Sequence, residues 1–191
     1  MALKAAESAA VLIGTAKLLA LFPVTGIRIE LERIETEKIA QLVAGLDCDK
    51  AAVLVSGDTG LYSLASSLRR LAPAEWEVSF VPGISSIQAA CALFTLEWHE
   101  MRFFSLHYQS APAELAEAAA RGEQLLAILC GPGHEPGRIA RDLLAVAEPD
   151  RLCYAACDIG SEKQVTWSGT LCELAGENLN GHSVLIIGRI R

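Results

Sequence analysis

Two segments of the chain share one local pattern, and that pattern narrows the folds open to it. The apolar run Ala51 to Val55 gives way to Ser56-Gly57-Asp58-Thr59-Gly60, after which Leu61, Leu64, Ala65 and Leu68 fall at helical spacing. Glu77 to Val81 reads as a second strand. Pro82-Gly83 turns the chain there, and Ser85-Ser86 open a helix with apolar positions Ile84, Ile87, Cys91 and Phe94. Strand, tight turn, helix is the unit of α/β layering. In open α/β sheets, ligands collect beyond the carboxyl ends of the strands. Gly57 and Gly60 would let backbone approach such a ligand, and Asp58 adds a carboxylate. An ordinary turn with Asp58 as helix N-cap is the competing reading of the first segment.

The remaining chain fits the same class. Ala2 to Ala10 reads as helix, Val11 to Ile13 as strand, Ala16 to Phe22 as helix and Arg28 to Leu31 as strand. Thr36 to Gly45 is a helix with Thr36 as N-cap and Gly45 as C-cap. Met101 to Leu106 is a further strand. Tyr108 to Pro112 is polar and proline-bearing, so the division is placed there, giving an N-terminal α/β lobe over 1–108 and a C-terminal α/β lobe over 109–191. The second lobe runs helix (Ala113 to Arg121), strand (Leu125 to Cys130), helix (Arg138 to Ala147) and strand (Arg151 to Ala156). Val165 to Trp167, a helical stretch after Thr170 and a last strand at Ser183 to Gly188 complete it. Two α/β lobes meeting at a cleft is the expected architecture.

Composition removes several classes of function. A net charge of −7 argues against nucleic acid as partner. The longest apolar runs, Leu125 to Cys130 and Val184 to Ile187, have strand length, so no membrane span is expected. Met1-Ala2-Leu3-Lys4 lacks the layout of a signal peptide, and the cytoplasm is the expected compartment. There the six cysteines read as free thiols, with Cys91 and Cys130 in apolar segments. Cys153 and Cys157 stand at C-x₃-C spacing without a partner motif, and no metal site is expected.

Taken together, Ser-Gly-Asp-x-Gly-x-Tyr-Ser and Val-Pro-Gly-Ile-Ser-Ser resemble the tetrapyrrole methylases, the class III S-adenosylmethionine-dependent methyltransferases. Trp98-His99 and Phe104-Ser105-Leu106-His107 resemble the branch that methylates carbon 5 of a (cobalt-)precorrin in cobalamin biosynthesis. The resemblance implies S-adenosyl-L-methionine as cofactor, a tetrapyrrole substrate and a homodimer. Any cobalt would belong to the substrate.

It also implies residue roles. Gly57, Asp58 and Thr59 match the family's Gly-Asp-Pro turn against the cofactor, with Thr59 in place of the usual proline. Leu61 and Tyr62 follow that turn, and Ser85 and Ser86 match a cofactor-contacting pair. Cys130, Gly131 and Gly160 match turns bordering the adenosine. Core packing for Leu61 and helix capping for the two serines are the bland alternatives. His134 reads as a solvated loop residue, and His99 as a packing or capping histidine. His107 ends a strand and has the titration range of a proton acceptor, which makes it the catalytic candidate.

Two departures from the family pattern stand out. The family opens with a strand and a Gly-x-Gly-Pro-Gly loop ahead of the helix that Ala2 begins, so the first strand is expected to be missing, through a late start or a loss. Tyr108 and Gln109 replace a Gly-Arg pair after the histidine, and with it an arginine suited to carboxylates. Arg69, Arg70 and Arg102 are candidates to compensate. The competing functions are another class III methylase, such as diphthine synthase or a ribosomal-RNA ribose methylase, and a truncated, non-catalytic tetrapyrrole-binding paralogue.

Overall fold

A computed structural model describes residues 1–22, 26–107, 113–122 and 125–188. Contacts group the chain into two units, Met1–Ser85 and Ser86–Arg191. The division placed by sequence at 108–112 lies outside the described residues.

The first unit holds a parallel sheet in the order β2-β1-β3, from β1 (Val11–Gly14), β2 (Ile27–Glu30) and β3 (Ala51–Val53). All four residues of β1 are buried, as expected of a central parallel strand covered on both faces. Ile13 pairs with Ile29 on one side and Val53 on the other. The helices α1 (Ala2–Glu7) and α2 (Ala16–Ala20) contribute Ala6 and Leu19 to a core with Leu12, against which Phe22, Ala52 and Leu54 pack. The helix α3 (Thr36–Ala44) packs with α4 (Leu64–Leu71). Gly45 is its C-cap as expected, but the N-cap is Glu35, and Thr36 is already helical.

Two expectations are corrected here. Glu77 to Val81 is not a strand. Strand geometry persists only where a neighbour completes the ladder, and among the described residues none pairs with it. Val78 and Phe80 are 37% and 44% exposed. Ile84 does not join the buried face of the following helix: that helix, α5 (Ser86–Phe94), starts two residues later, and Ile84 is 77% exposed.

The second unit is built on a five-stranded sheet in the order β4-β5-β8-β6-β7. Its strands are β4 (Arg102–Ser105), β5 (Leu125–Leu129), β6 (Leu152–Cys157), β7 (Val165–Thr170) and β8 (Ser183–Gly188). Only β4 and β5 run parallel; β8 runs antiparallel to both β5 and β6. Every residue of β8 is buried, in keeping with its place at the centre. The helices α6 (Ala113–Ala120), α7 (Pro136–Leu143) and α8 (Leu171–Leu174) send Leu115, Ile139 and Leu171 into a core with Leu126, Ile128 and Leu185. A capping box at Thr170 and Glu173 starts α8. Gly137 lets α7 press close, since a Cβ there would lie 2.2 Å from the Glu177 carbonyl oxygen. Among the described residues no helix is long and apolar enough to cross a membrane.

Candidate functional site

The structure gathers the residues named from sequence into two groups, one in each unit. In the first unit the two glycine bends meet. A Cβ on Gly83 would stand 2.3 Å from the Gly57 carbonyl oxygen, so only glycine permits this approach. Gly57 itself has φ 72°, a left-handed conformation suited to a residue without Cβ, and lies against Ser85 and Ile84. The Thr59 hydroxyl donates to the Val81 carbonyl oxygen at 3.4 Å. A threonine in place of proline therefore ties one bend to the other, which a proline could not do.

Asp58 is not the N-cap of α4. Its Oδ1 accepts the Gly60 N–H at 2.7 Å, folding the turn on itself. The cap is Ser63, which accepts the Ala65 N–H at 3.2 Å. Between them Leu61 is half-buried and Tyr62 takes φ 47° with 57% of its surface exposed. Left-handed backbone costs a residue with a Cβ about 1–2 kcal/mol. Such outliers are held by their surroundings and cluster at ligand sites. Ser85 is 5% exposed, and Ser86 is the exposed first residue of α5.

The second group stands at one end of the five-stranded sheet. His107 follows β4 and Cys130-Gly131 follows β5. The Leu106 N–H donates to the Leu129 carbonyl oxygen at 2.9 Å and the Cys130 N–H to that of Ser183 at 3.0 Å. A Cβ on Gly131 would lie 2.6 Å from the His107 Cα, so glycine is again what allows the packing. Burial, and then the electrostatic influence of His182, hold His107 below the ordinary imidazole range. Burial raises the Cys130 thiol, which removes it as a nucleophile. Gly160, φ 79°, lies on the turn after β6, where its N–H donates to Gln164 Oε1 at 2.7 Å.

Several sequence candidates are not drawn in. His99 is exposed between Glu97 and Glu100, at 3.6 and 3.8 Å. Arg69 and Arg70 are exposed on α4, and Arg102 lies over the Phe104 ring at 5.1 Å. Tyr108 and Gln109 lie outside the described residues. Among the described residues no three His, Cys, Asp or Glu side chains are placed to hold a metal ion. Sequence reasoning missed Asp158 and His182. Asp158-Ile159-Gly160 and Gly181-His182 each carry the glycine of a turn, but the pairing of β8 beside β5 is what brings them to the sheet end.

The fold recurs in solved structures. The methyltransferase CobJ is 21% identical, with a TM-score of 0.78 over 97% of this chain and 85% of its own. The precorrin-6Y methylase CbiE from Archaeoglobus fulgidus is 20% identical, TM-score 0.73, over 98% of this chain and 89% of its own. The uroporphyrin-III C-methyl transferase from Thermus thermophilus, complexed with S-adenyl homocysteine, is 22% identical, TM-score 0.72, over 98% and 89%. No curated protein matches the chain by sequence. The model of the tetrapyrrole (corrin/porphyrin) methylases matches residues 1–175, and the chain belongs to that family.

Proposed function

We propose that the protein is an S-adenosylmethionine-dependent methyltransferase acting on carbon 5 of a (cobalt-)precorrin. The observation that carries the reading is the contact of the two bends: Gly83 lies against the Gly57 carbonyl oxygen and Gly57 against Ser85, which joins two stretches of backbone at positions without a Cβ. Such a junction suits a ligand held by backbone donors and acceptors. The cofactor supplies an electrophilic methyl group on sulfur, and the ring carbon supplies the electron pair. The protein's work is then placement and exclusion of water.

Gly57, Asp58, Thr59, Leu61, Tyr62, Ser85 and Ser86 are assigned to the cofactor, as are Cys130, Gly131 and Gly160. His107 is assigned as the acceptor of the proton released once the new carbon–carbon bond has formed. Its neutral state near pH 7 follows from the downward shift, and a neutral imidazole can accept. Trp98-His99 and Phe104 to His107 support carbon 5 over other positions, because they carry the resemblance to that branch. Diphthine synthase shares the fold, so the choice of substrate rests on those residues. A homodimer and a cytoplasmic location belong to the same reading.

Calorimetry with S-adenosylhomocysteine, followed by methyl transfer from labelled cofactor to cobalt-precorrin-7, tests it. Binding together with transfer is expected, with His107→Asn retaining binding and losing turnover. Absence of S-adenosylhomocysteine binding would sink the methylase reading for this chain. Binding with transfer only to another acceptor would sink carbon 5.

A further inference from the structure

The second unit has a cavity at the end of its sheet away from His107 and Gly131. Leu125 opens β5 and Leu152 opens β6, and both pair with Gly188, so the two strands start at one end, on either side of β8. The helix α6 precedes β5, and residues 146–151 lead into β6. Between these approaches lies a cavity of about 290 Å³. Among the described residues its lining includes Ala119, Ala120, Arg121, Val146, Glu148 and Arg151. Small-molecule pockets usually run from about 300 to 1,000 Å³, so this one suits a ligand smaller than a nucleoside cofactor.

The charges that line it are of both signs. Arg151 is the buried member, 3% exposed. A guanidinium so far from water needs acceptors or negative charge around it. One acceptor is the Ala119 carbonyl oxygen, which takes a hydrogen bond from Nη1 at 2.9 Å near the end of α6, where the helix dipole is negative. Arg121 and Glu148 are exposed. Arg121 Nη1 also lies 3.7 Å from Glu117 Oε2, one turn back along α6, a surface pair of small energy. All three charged residues interact within the chain, so a ligand joins a network already in place. Ala120 and Val146 add apolar surface beside them.

A simple anion entering the cavity would meet Glu148 and the negative end of α6. A simple cation would meet two guanidinium groups. A molecule carrying both charges a few bonds apart escapes either repulsion. We propose that the cavity binds a small aliphatic α-amino acid. Its carboxylate lies on Arg151 and Arg121, its ammonium on Glu148, and its side chain on Ala120 and Val146. Guanidinium groups take carboxylates through paired N–H donors, and the carboxylate of Glu148 takes the ammonium. No bond is made or broken. The site stands at the opposite end of the sheet from His107 and Gly131 and is independent of the methyltransferase reading.

The test is amide-resolved NMR with calorimetry on the full chain, with L-leucine as the probe. Isocaproate keeps the carboxylate of leucine without its ammonium, and isoamylamine keeps the ammonium without the carboxylate. L-Leucine should shift the amides of Arg121, Gly122, Glu148 and Arg151 saturably and leave those of His107 and Gly131 in place. Each partial compound should bind about tenfold more weakly, the loss of one charge-assisted contact. Glu148→Gln should narrow the gap between L-leucine and isocaproate, and Arg121→Gln that between L-leucine and isoamylamine. Both positions are exposed, which keeps these variants usable where replacement of buried Arg151 unfolds the protein. No saturable shift with L-leucine, isocaproate binding as tightly as L-leucine, or both variants binding like the parent would each overturn the site. None of these results bears on S-adenosylhomocysteine binding, so the two readings fail separately.

Discussion

Substituting Gly83 by alanine tests the contact on which the proposed methyl-donor site depends. The new Cβ would arrive 2.3 Å from the Gly57 carbonyl oxygen and 3.2 Å from its carbon. Carbon–oxygen contacts settle at about 3.3–3.6 Å, so the bends must part by about 1 Å. Both sides of the clash are backbone, and no rotamer change relieves it. Overpacking of this kind costs about 1–3 kcal/mol, or about 2–4 °C of melting temperature per kcal/mol in a chain of this length. A displacement of about 1 Å at a reacting site costs roughly 10²-fold in rate. Gly57→Ala should cost less, about 1–2 kcal/mol of left-handed backbone, because its neighbours lie at 3.8 Å and beyond. Gly60→Ala should cost least, since the atom it meets at 3.0 Å is the Asp58 side chain, which can give. Differential scanning fluorimetry and S-adenosylhomocysteine calorimetry on the three variants read the order directly. A Gly83→Ala protein that melts and binds like the parent, or a Gly60→Ala protein that suffers as much, would refute the argument.

Gly137→Ala should destabilise the second unit by about 1–3 kcal/mol, because its Cβ would sit 2.2 Å from the Glu177 carbonyl oxygen; urea unfolding measures it. His107 carries a folded-state pKa below its ordinary 6.5, so the unfolded chain binds protons more readily. Its contribution to stability is present above pH 6.5 and is lost as pH falls through the lowered value, and His107→Gln should flatten that part of the melting profile. Burial pushes the Cys91 thiol up to about 11 and the Cys153 thiol up to about 12. Alkylation of native protein at pH 8 should therefore mark exposed Cys172 first and spare those two, with peptide mass spectrometry as readout.

The elements that local pattern defines were legible in the sequence, and those that depend on distant partners were not. The strand β3, the loop after it and α4 follow from one apolar run, two glycines and helical spacing. The segment 77–81 carries the same apolar alternation, but strand status requires a neighbour, and composition says nothing about whether one is present. The antiparallel placement of β8 between β5 and β6 is likewise invisible locally, since Val184 to Ile187 would read alike in either direction. Ile84 shows the limit of periodicity. Its spacing from Ile87 and Cys91 suits a buried helix face, yet the bend at Gly83 delays the helix to Ser86 and leaves the side chain outside.

For the site, sequence supplied the identity of residues with chemistry, and the resemblance implied that the two bends serve one ligand; the contacts that join them could not be read from it. Gly83 was visible as half of a Pro-Gly turn, but its function is to admit the Gly57 carbonyl oxygen, a partner 26 positions away along the chain. Gly131 was visible as a turn residue after a strand, and its function is to leave room beside His107. His182 stood unnoticed because its placement comes from two long-range facts: β8 beside β5, and Asp158 reaching back to hold its amide. In each case the informative quantity is the distance from an added Cβ to another segment's backbone. A glycine with nothing within 4 Å, such as Gly160, can be read from turn chemistry alone. A glycine that meets backbone below 3 Å encodes a tertiary contact, and substitution there reports on both segments at once.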